Sequence, residues 1–393
     1  MIKWFVPGRI EVFGKHTDYA GGHSILAAVD RGVTVTLTDA DEFSATTDAF
    51  PGERIRLVPG QPLDVPRGHW GYYLQVALDR LTLNFGSLAP VAIHVSSTLP
   101  LASGMSSSSA LVVAVTLAIA ERNGLLERQE WMDNITSDLE LAHYASCVEN
   151  GYDYPGLAGT RGVGTMGGSE DHTAMLCCEE GKLTECSFVP SVRHNVVEFP
   201  ADHSFVVGVC GVRAEKSGAA MEQYNYLSAS TRDLVTRWQE ATGRQESTLD
   251  EIINAEDGID GLSSIVADDE ALSRRLKAFV AEVKVFIPRA VAALRSGDLA
   301  EFGRVALESH RNADQNLLNQ LPETNALVEL AMVNGAVGAS AFGAGWGGSV
   351  WALVPTSDAE KFAQRWGAAY REQFPQWEPE FIVTRPSQPA RRV

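Results

Sequence analysis

Apolar side chains occupy every second position from Val91 to Val95 in Val91-Ala92-Ile93-His94-Val95-Ser96-Ser97. That alternation is the mark of a strand with one face buried. Leu111 to Ala120 is apolar on nearly every side and turns polar at Glu121-Arg122-Asn123-Gly124. This predicts a buried helix closed by a glycine cap. Between them lies a loop of small and hydroxyl-bearing residues, 99–110. Upstream, Ile25 to Val29 and Val33 to Leu37 read as two short strands parted by a turn. Residues 70–83 carry Tyr72, Val76, Leu78 and Leu81 at helical spacing. A second helical pattern covers 129–150, and 151–169 is a glycine-rich run of turns. Ala174-Met175-Leu176 and Phe205 to Val209 look strand-like. From 214 to 340 the pattern is mostly helical, and a glycine-rich turn at 343–348 leads into the strand 349–354. The tail, 385–393, reads as frayed. The change from strand-rich to helix-rich near 195–205 divides the chain into 1–200 and 201–393. The mixture predicts α+β layers rather than a doubly wound parallel sheet.

The chain has 393 residues, long enough for two domains with their own cores. Its formal net charge of −18 argues against a nucleic-acid partner, since duplex binding depends on phosphate neutralisation by Lys and Arg. The opening residues do not form a signal peptide, and the longest apolar run is short of a membrane span. Five cysteines without paired metal spacing predict reduced thiols in a cytoplasmic protein.

Three stretches carry candidate chemistry. The first is the serine loop, Leu99-Pro100-Leu101-Ala102-Ser103-Gly104-Met105-Ser106-Ser107-Ser108-Ser109-Ala110. Free backbone N–H groups and the positive end of a helix dipole suit such a place to a phosphate. The second is the turn Gly8-Arg9-Ile10-Glu11-Val12-Phe13-Gly14-Lys15-His16-Thr17-Asp18, dense in charged side chains between glycines. The third is Gly167-Gly168-Ser169-Glu170-Asp171-His172, where a carboxylate after a flexible turn suits a general base. Gly162/Gly164/Gly167 and Gly343/Gly345/Gly348 match G-x-G-x-x-G, but neither sits between a strand and a helix, so neither is a dinucleotide fingerprint.

Together these stretches resemble the GHMP small-molecule kinases, and within them the galactokinases. Pro7-Gly8-Arg9 through Gly22 is similar to the galactokinase signature, Leu99 to Ser108 to the family's phosphate loop, and Ala341 to Ser349 to its third motif. The resemblance implies a two-domain α+β fold with the active site between the halves. The N-terminal half would be ribosomal-protein-S5-domain-2-like and the C-terminal half ferredoxin-like. It implies an ATP-dependent sugar 1-kinase that uses Mg²⁺, acts on galactose or a related monosaccharide, and works as a monomer or homodimer away from membranes. By the same resemblance Asp171 is the catalytic base and Arg9 its partner at the transferring phosphate. Pro100, Gly104, Met105, Ser106, Ser107, Ser108 and Ser109 hold ATP. Ser108 and Glu149 are magnesium ligands. Lys15, His16, Asp18 and Tyr224 contact the sugar, although the segment 211–218 before Tyr224 is longer than the family's usual form.

Two departures from the signature stand out. Lys15 replaces a glutamate and Glu11 an asparagine. A lysine donates but cannot accept, so inside the sugar pocket it would favour a uronic acid such as galacturonate or glucuronate. Turned outward, it would leave galactose as the substrate. A non-catalytic galactokinase-like sugar sensor is the other alternative. Damage to the serine loop or to Asp171 would mark it, and both are intact here.

Overall fold

The computed structural model describes residues 1–66, 68–100, 103–212 and 218–393, without the side chains of 218–220. Leu101 and Ala102 of the serine loop, and most of the segment ahead of Tyr224, therefore lie outside the described residues. Strand β1 (Ile2–Phe13) pairs antiparallel with β2 (His23–Asp39), from Ile2 opposite Leu37 to Phe13 opposite Ile25. The two short strands expected at 25–29 and 33–37 are parts of this single strand. A register shift between Pro7 and Arg9 absorbs the irregularity at Asp30-Arg31-Gly32, where a turn was expected.

β3 (Ser44–Thr47), β4 (Arg54–Arg56), β5 (Val91–Ser97), β6 (Lys182–Ser187) and β7 (Val192–Glu198) extend the first sheet. β8 (His203–Val209), β9 (Gly338–Phe342), β10 (Ser349–Pro355) and β11 (Glu380–Thr384) form the second, and β12 (Arg391–Arg392) returns to the first. The first sheet runs β12-β1-β2-β5-β3-β4, with β6 and β7 branching from β2, and the second runs β11-β8-β10-β9. The tail is thus not frayed. Arg391 and Arg392 pair with Phe5 and Trp4, and the Ser387 and Ala390 N–H groups donate to Ala28 and Met175 at 2.9 and 2.8 Å. Backbone pairing on the open edge of β1 supplies what the polar composition of the tail conceals.

α2 (Ser107–Arg122) and α5 (Glu170–Cys177) pack against the first sheet, α1 (Gly71–Phe85) and α4 (Asp138–Asn150) pack on α2, and the single turn α3 (Gln129–Met132) lies between α2 and α4 in the chain. α2 is buried all round from Ser109 to Ala120, as its composition requires. The pattern at 129–150 is two helices rather than one, because the Ser137 hydroxyl accepts from the Glu140 N–H and caps a fresh start. The strand expected at 174–176 is helical. Three apolar residues cannot distinguish the two states, and Asp171 in the first turn favours the helix through its dipole.

One apolar cluster spans both sheets. Phe13 of β1 meets Phe302 at 5.6 Å between ring centres, and Trp351 of β10 meets Phe205 of β8 at 5.4 Å and Phe13 at 6.5 Å. These edge-on contacts fasten the sheets beside the end of β1 that carries the charged turn. Truncating fully buried Trp351 should therefore loosen both halves at once. Trp351→Ala is expected to cost about 3–5 kcal/mol in denaturant unfolding, and a loss under about 1 kcal/mol would refute the shared core.

Candidate active site

Alternation along β1 places Arg9 and Glu11 on one face, both buried. The Arg9 guanidinium crosses to three elements. Its Nε donates to Asp171 Oδ1 at 2.7 Å, a second nitrogen lies 2.6 Å from the same oxygen, and another donates to the Gly104 carbonyl at 2.6 Å. One side chain thus ties β1, the serine loop and the N-terminus of α5. The other Asp171 oxygen accepts from Ser106 Oγ at 2.5 Å and from Ser109 Oγ at 3.4 Å. Ser106 precedes α2 with φ 59°, an uncommon conformation for a residue with a side chain, and its hydroxyl turns to Asp171 rather than capping α2. Gly343, at φ 78°, closes on this loop: a Cβ there would stand 2.9 Å from the Gly104 carbonyl.

Beside Asp171 opens a small cavity walled mainly by polar and charged side chains. Arg9, Glu11, His16, Asp18, Tyr224, Glu149, Glu170, Asp171 and Ser109 contribute to its wall. His16 is anchored by Tyr19 Oη at 3.0 Å and the Ala344 carbonyl at 2.9 Å, and its ring lies 5.6 Å from that of Tyr224. Asp18 Oδ2 accepts from the Glu170 N–H at 3.4 Å, and a Cβ on Gly168 would come within 2.4 Å of it, so glycine is required for the approach. His172 Nε2 lies 3.0 Å from Glu149 Oε2, both side chains buried. The Tyr73 phenol bonds the Ser108 hydroxyl and feels the Glu149 carboxylate, which puts those two oxygen donors in one neighbourhood.

Burial dominates the electrostatics. It pushes Glu11 up to about 7, against the lowering pull of Lys15 and Arg9, with Glu282 and Asp171 adding to the rise. Glu170 is held well above the ordinary range by burial, then by Glu11 and Asp18. Burial also raises the Tyr224 phenol, helped by Asp18 and Tyr19.

The structure thus brings Arg9, Asp171, His16, Asp18, Tyr224, Glu149 and Ser109 to one cavity. Lys15 is the correction. It neither lines the cavity nor turns outward. Its Nζ donates to Ser309 Oγ at 2.8 Å, and Ser309 donates to Glu282 Oε1 at 2.5 Å. A buried ammonium requires such partners, and Glu282 and Ser309 come from distant helices that no local pattern connects to residue 15. The Met105 side chain lies in the core, and only its carbonyl faces the site, accepting from the Arg9 N–H. Pro100, Gly104, Ser106, Ser107 and Ser108 are not among the residues lining the cavity, although Gly104 and Ser106 bond Arg9 and Asp171, which are. Sequence reasoning missed Glu11, Tyr19, Asn150 and Thr165 as wall residues. For Glu11 the signal was available in its two-residue offset from Arg9 on a strand.

Three family models match: the galactokinase galactose-binding signature over 2–38, the GHMP kinase N-terminal domain over 72–159, and the GHMP kinase C-terminal domain over 290–372. The chain is 26% identical to a galactokinase of Thermococcus kodakarensis, over 98% of this chain and 99% of the relative. It is 28% identical to a galactokinase of Streptomyces coelicolor, over 91% and 85%. A Lactococcus lactis galactokinase solved with galactose superposes with TM-score 0.83 at 23% identity, covering 100% of this chain and 95% of that one. Mevalonate kinase of L. major superposes more loosely, at TM-score 0.59 and 18% identity, over 98% and 96%. These solved neighbours share the α+β fold.

The raised Glu11 gives a stability test. A glutamate ionises at its ordinary value of 4.5 in the unfolded chain and at about 7 here. Between these values the fold keeps a proton that the unfolded chain has lost, so stability falls as pH rises through the window. Glu11→Gln should therefore gain stability relative to wild type from pH 5 to pH 8, by up to roughly 3 kcal/mol. A melting-temperature difference independent of pH would count against this.

Proposed function

The chain belongs to the GHMP kinase family, and we propose that it transfers the γ-phosphoryl group of ATP to the anomeric hydroxyl of galactose or a closely related monosaccharide. The observation that carries this reading is the Asp171 carboxylate, fixed by Arg9 and by serine-loop hydroxyls at the edge of a cavity walled by polar side chains. Asp171 accepts the proton of the C1 hydroxyl as that oxygen bonds to the γ-phosphorus and ADP leaves. The adjacent guanidinium favours the ionised carboxylate and stabilises charge building on the transferring group. His16, Asp18 and Tyr224 orient the ring, a positioning effect that supplies much of the rate in phosphoryl transfer.

Gly104 and the N–H groups at the start of α2 are suited to the ATP phosphates. The Ser108 hydroxyl and Glu149 carboxylate, hard oxygens near one phenol, fit Mg²⁺ and would hold it. That ion supplies neutralisation of phosphate charge. The division into 1–200 and 201–393 accords with the change of sheet between β7 and β8. Five buried free thiols, and no helix among the described residues long and apolar enough to cross a membrane, accord with a cytoplasmic enzyme. With Lys15 turned away from the cavity, the uronate reading loses its premise.

ADP release measured with ATP, Mg²⁺ and a panel of aldoses and uronic acids tests the proposal, with galactose or a close epimer expected as the best substrate. Asp171→Asn should lower kcat by about 10²–10⁴-fold. Turnover near wild type in that variant would remove Asp171 as the base and turn attention to Glu170.

A further inference from the structure

The two departures from the signature form a pair. Where galactokinases carry a neutral residue at 11 and an acid at 15, this chain carries an acid at 11 and a base at 15. The acidic group has moved onto the strand face that carries Arg9, and it lines the cavity. Lys15 lies behind it, engaged by Ser309 within reach of Glu282, and its charge acts on Glu11 from there.

Glu11 is 3% exposed. Its Oε2 accepts from the Gly343 N–H at 3.3 Å, while Oε1 is buried with no hydrogen-bond partner among the described residues. An orphaned carboxylate oxygen on a cavity wall calls for a donor from whatever fills that cavity. We propose that Glu11 contacts the substrate, accepting a hydrogen bond from a hydroxyl of the acceptor sugar, and that it makes this pocket select neutral sugars over carboxylated ones. The proposal rests on the sugar-kinase reading. Asp18, Glu149 and Asp171 line the same cavity, and the Arg9 guanidinium is already engaged by Asp171 and Gly104. A uronate carboxylate there would meet several like charges in a site of low dielectric.

The test compares wild type and Glu11→Gln, an isosteric change, on galactose, its 2-, 3-, 4- and 6-deoxy analogues and galacturonate. KM for galactose should rise roughly tenfold or more in the variant, with a smaller change in kcat. One deoxy sugar should be handled alike by the two proteins, because the glutamine oxygen stays on the Gly343 N–H and the NH2 in place of Oε1 cannot accept from the hydroxyl. Wild type should reject galacturonate, and the variant should discriminate against it less. An unchanged KM with identical deoxy-sugar preferences, or efficient galacturonate turnover by wild type, overturns the assignment while leaving the kinase reading intact. Absence of ADP release with every sugar overturns that reading, and this assignment with it. Should Glu11→Gln fail to fold, the wild-type panel decides alone: indifference to loss of each hydroxyl refutes a carboxylate contact.

Discussion

The ion pair between Arg9 and Asp171 is the contact on which the site depends. Burying a guanidinium and a carboxylate is costly, and their attraction offsets that cost only when the remaining donors and acceptors are also met. Here they are: the Gly104 carbonyl takes one guanidinium N–H, and Ser106 satisfies the second carboxylate oxygen. Each partner comes from a different element, so the pair forms only when β1, the serine loop and α5 are all in place. Removing any one member would strand a charge and shift the others.

Around that pair the cavity is crowded with carboxylates. Hydroxyl groups donate hydrogen bonds and such a wall can accept them, while its cation Arg9 is engaged by Asp171 and Gly104. The cost appears as proton retention by Glu11 and Glu170, whose carboxyls resist ionisation where burial outweighs the nearby cations. Lys15 moderates this from outside the cavity and so acts on the pocket without touching its contents.

Much of the fold was legible because it is written locally. Strict alternation marked β5, continuous apolarity marked α2, and glycine marked the turns. What failed was decided at a distance. Residues 174–176 are helical because of a carboxylate placed ahead of them, and the tail is ordered because β1 offers an open edge. At the site, the serine loop, the N-terminal turn and Asp171 stood out by composition and by family resemblance. The direction of Lys15 did not, since Glu282 and Ser309, which bind it, lie beyond residue 280. Glu11 stood out only as a departure from a motif, and its strand periodicity already placed it beside Arg9.

The bond from His16 to the Ala344 carbonyl spans 328 residues, and that from Lys15 to Ser309 spans 294. Contacts of such sequence separation are closed only after large loops have been ordered, and they slow folding accordingly. The sugar pocket is therefore among the last features of the molecule to assemble. During refolding, helical and strand content should return well before any capacity to bind a sugar. A partly folded chain would already hide most of its apolar surface, yet it would have no pocket.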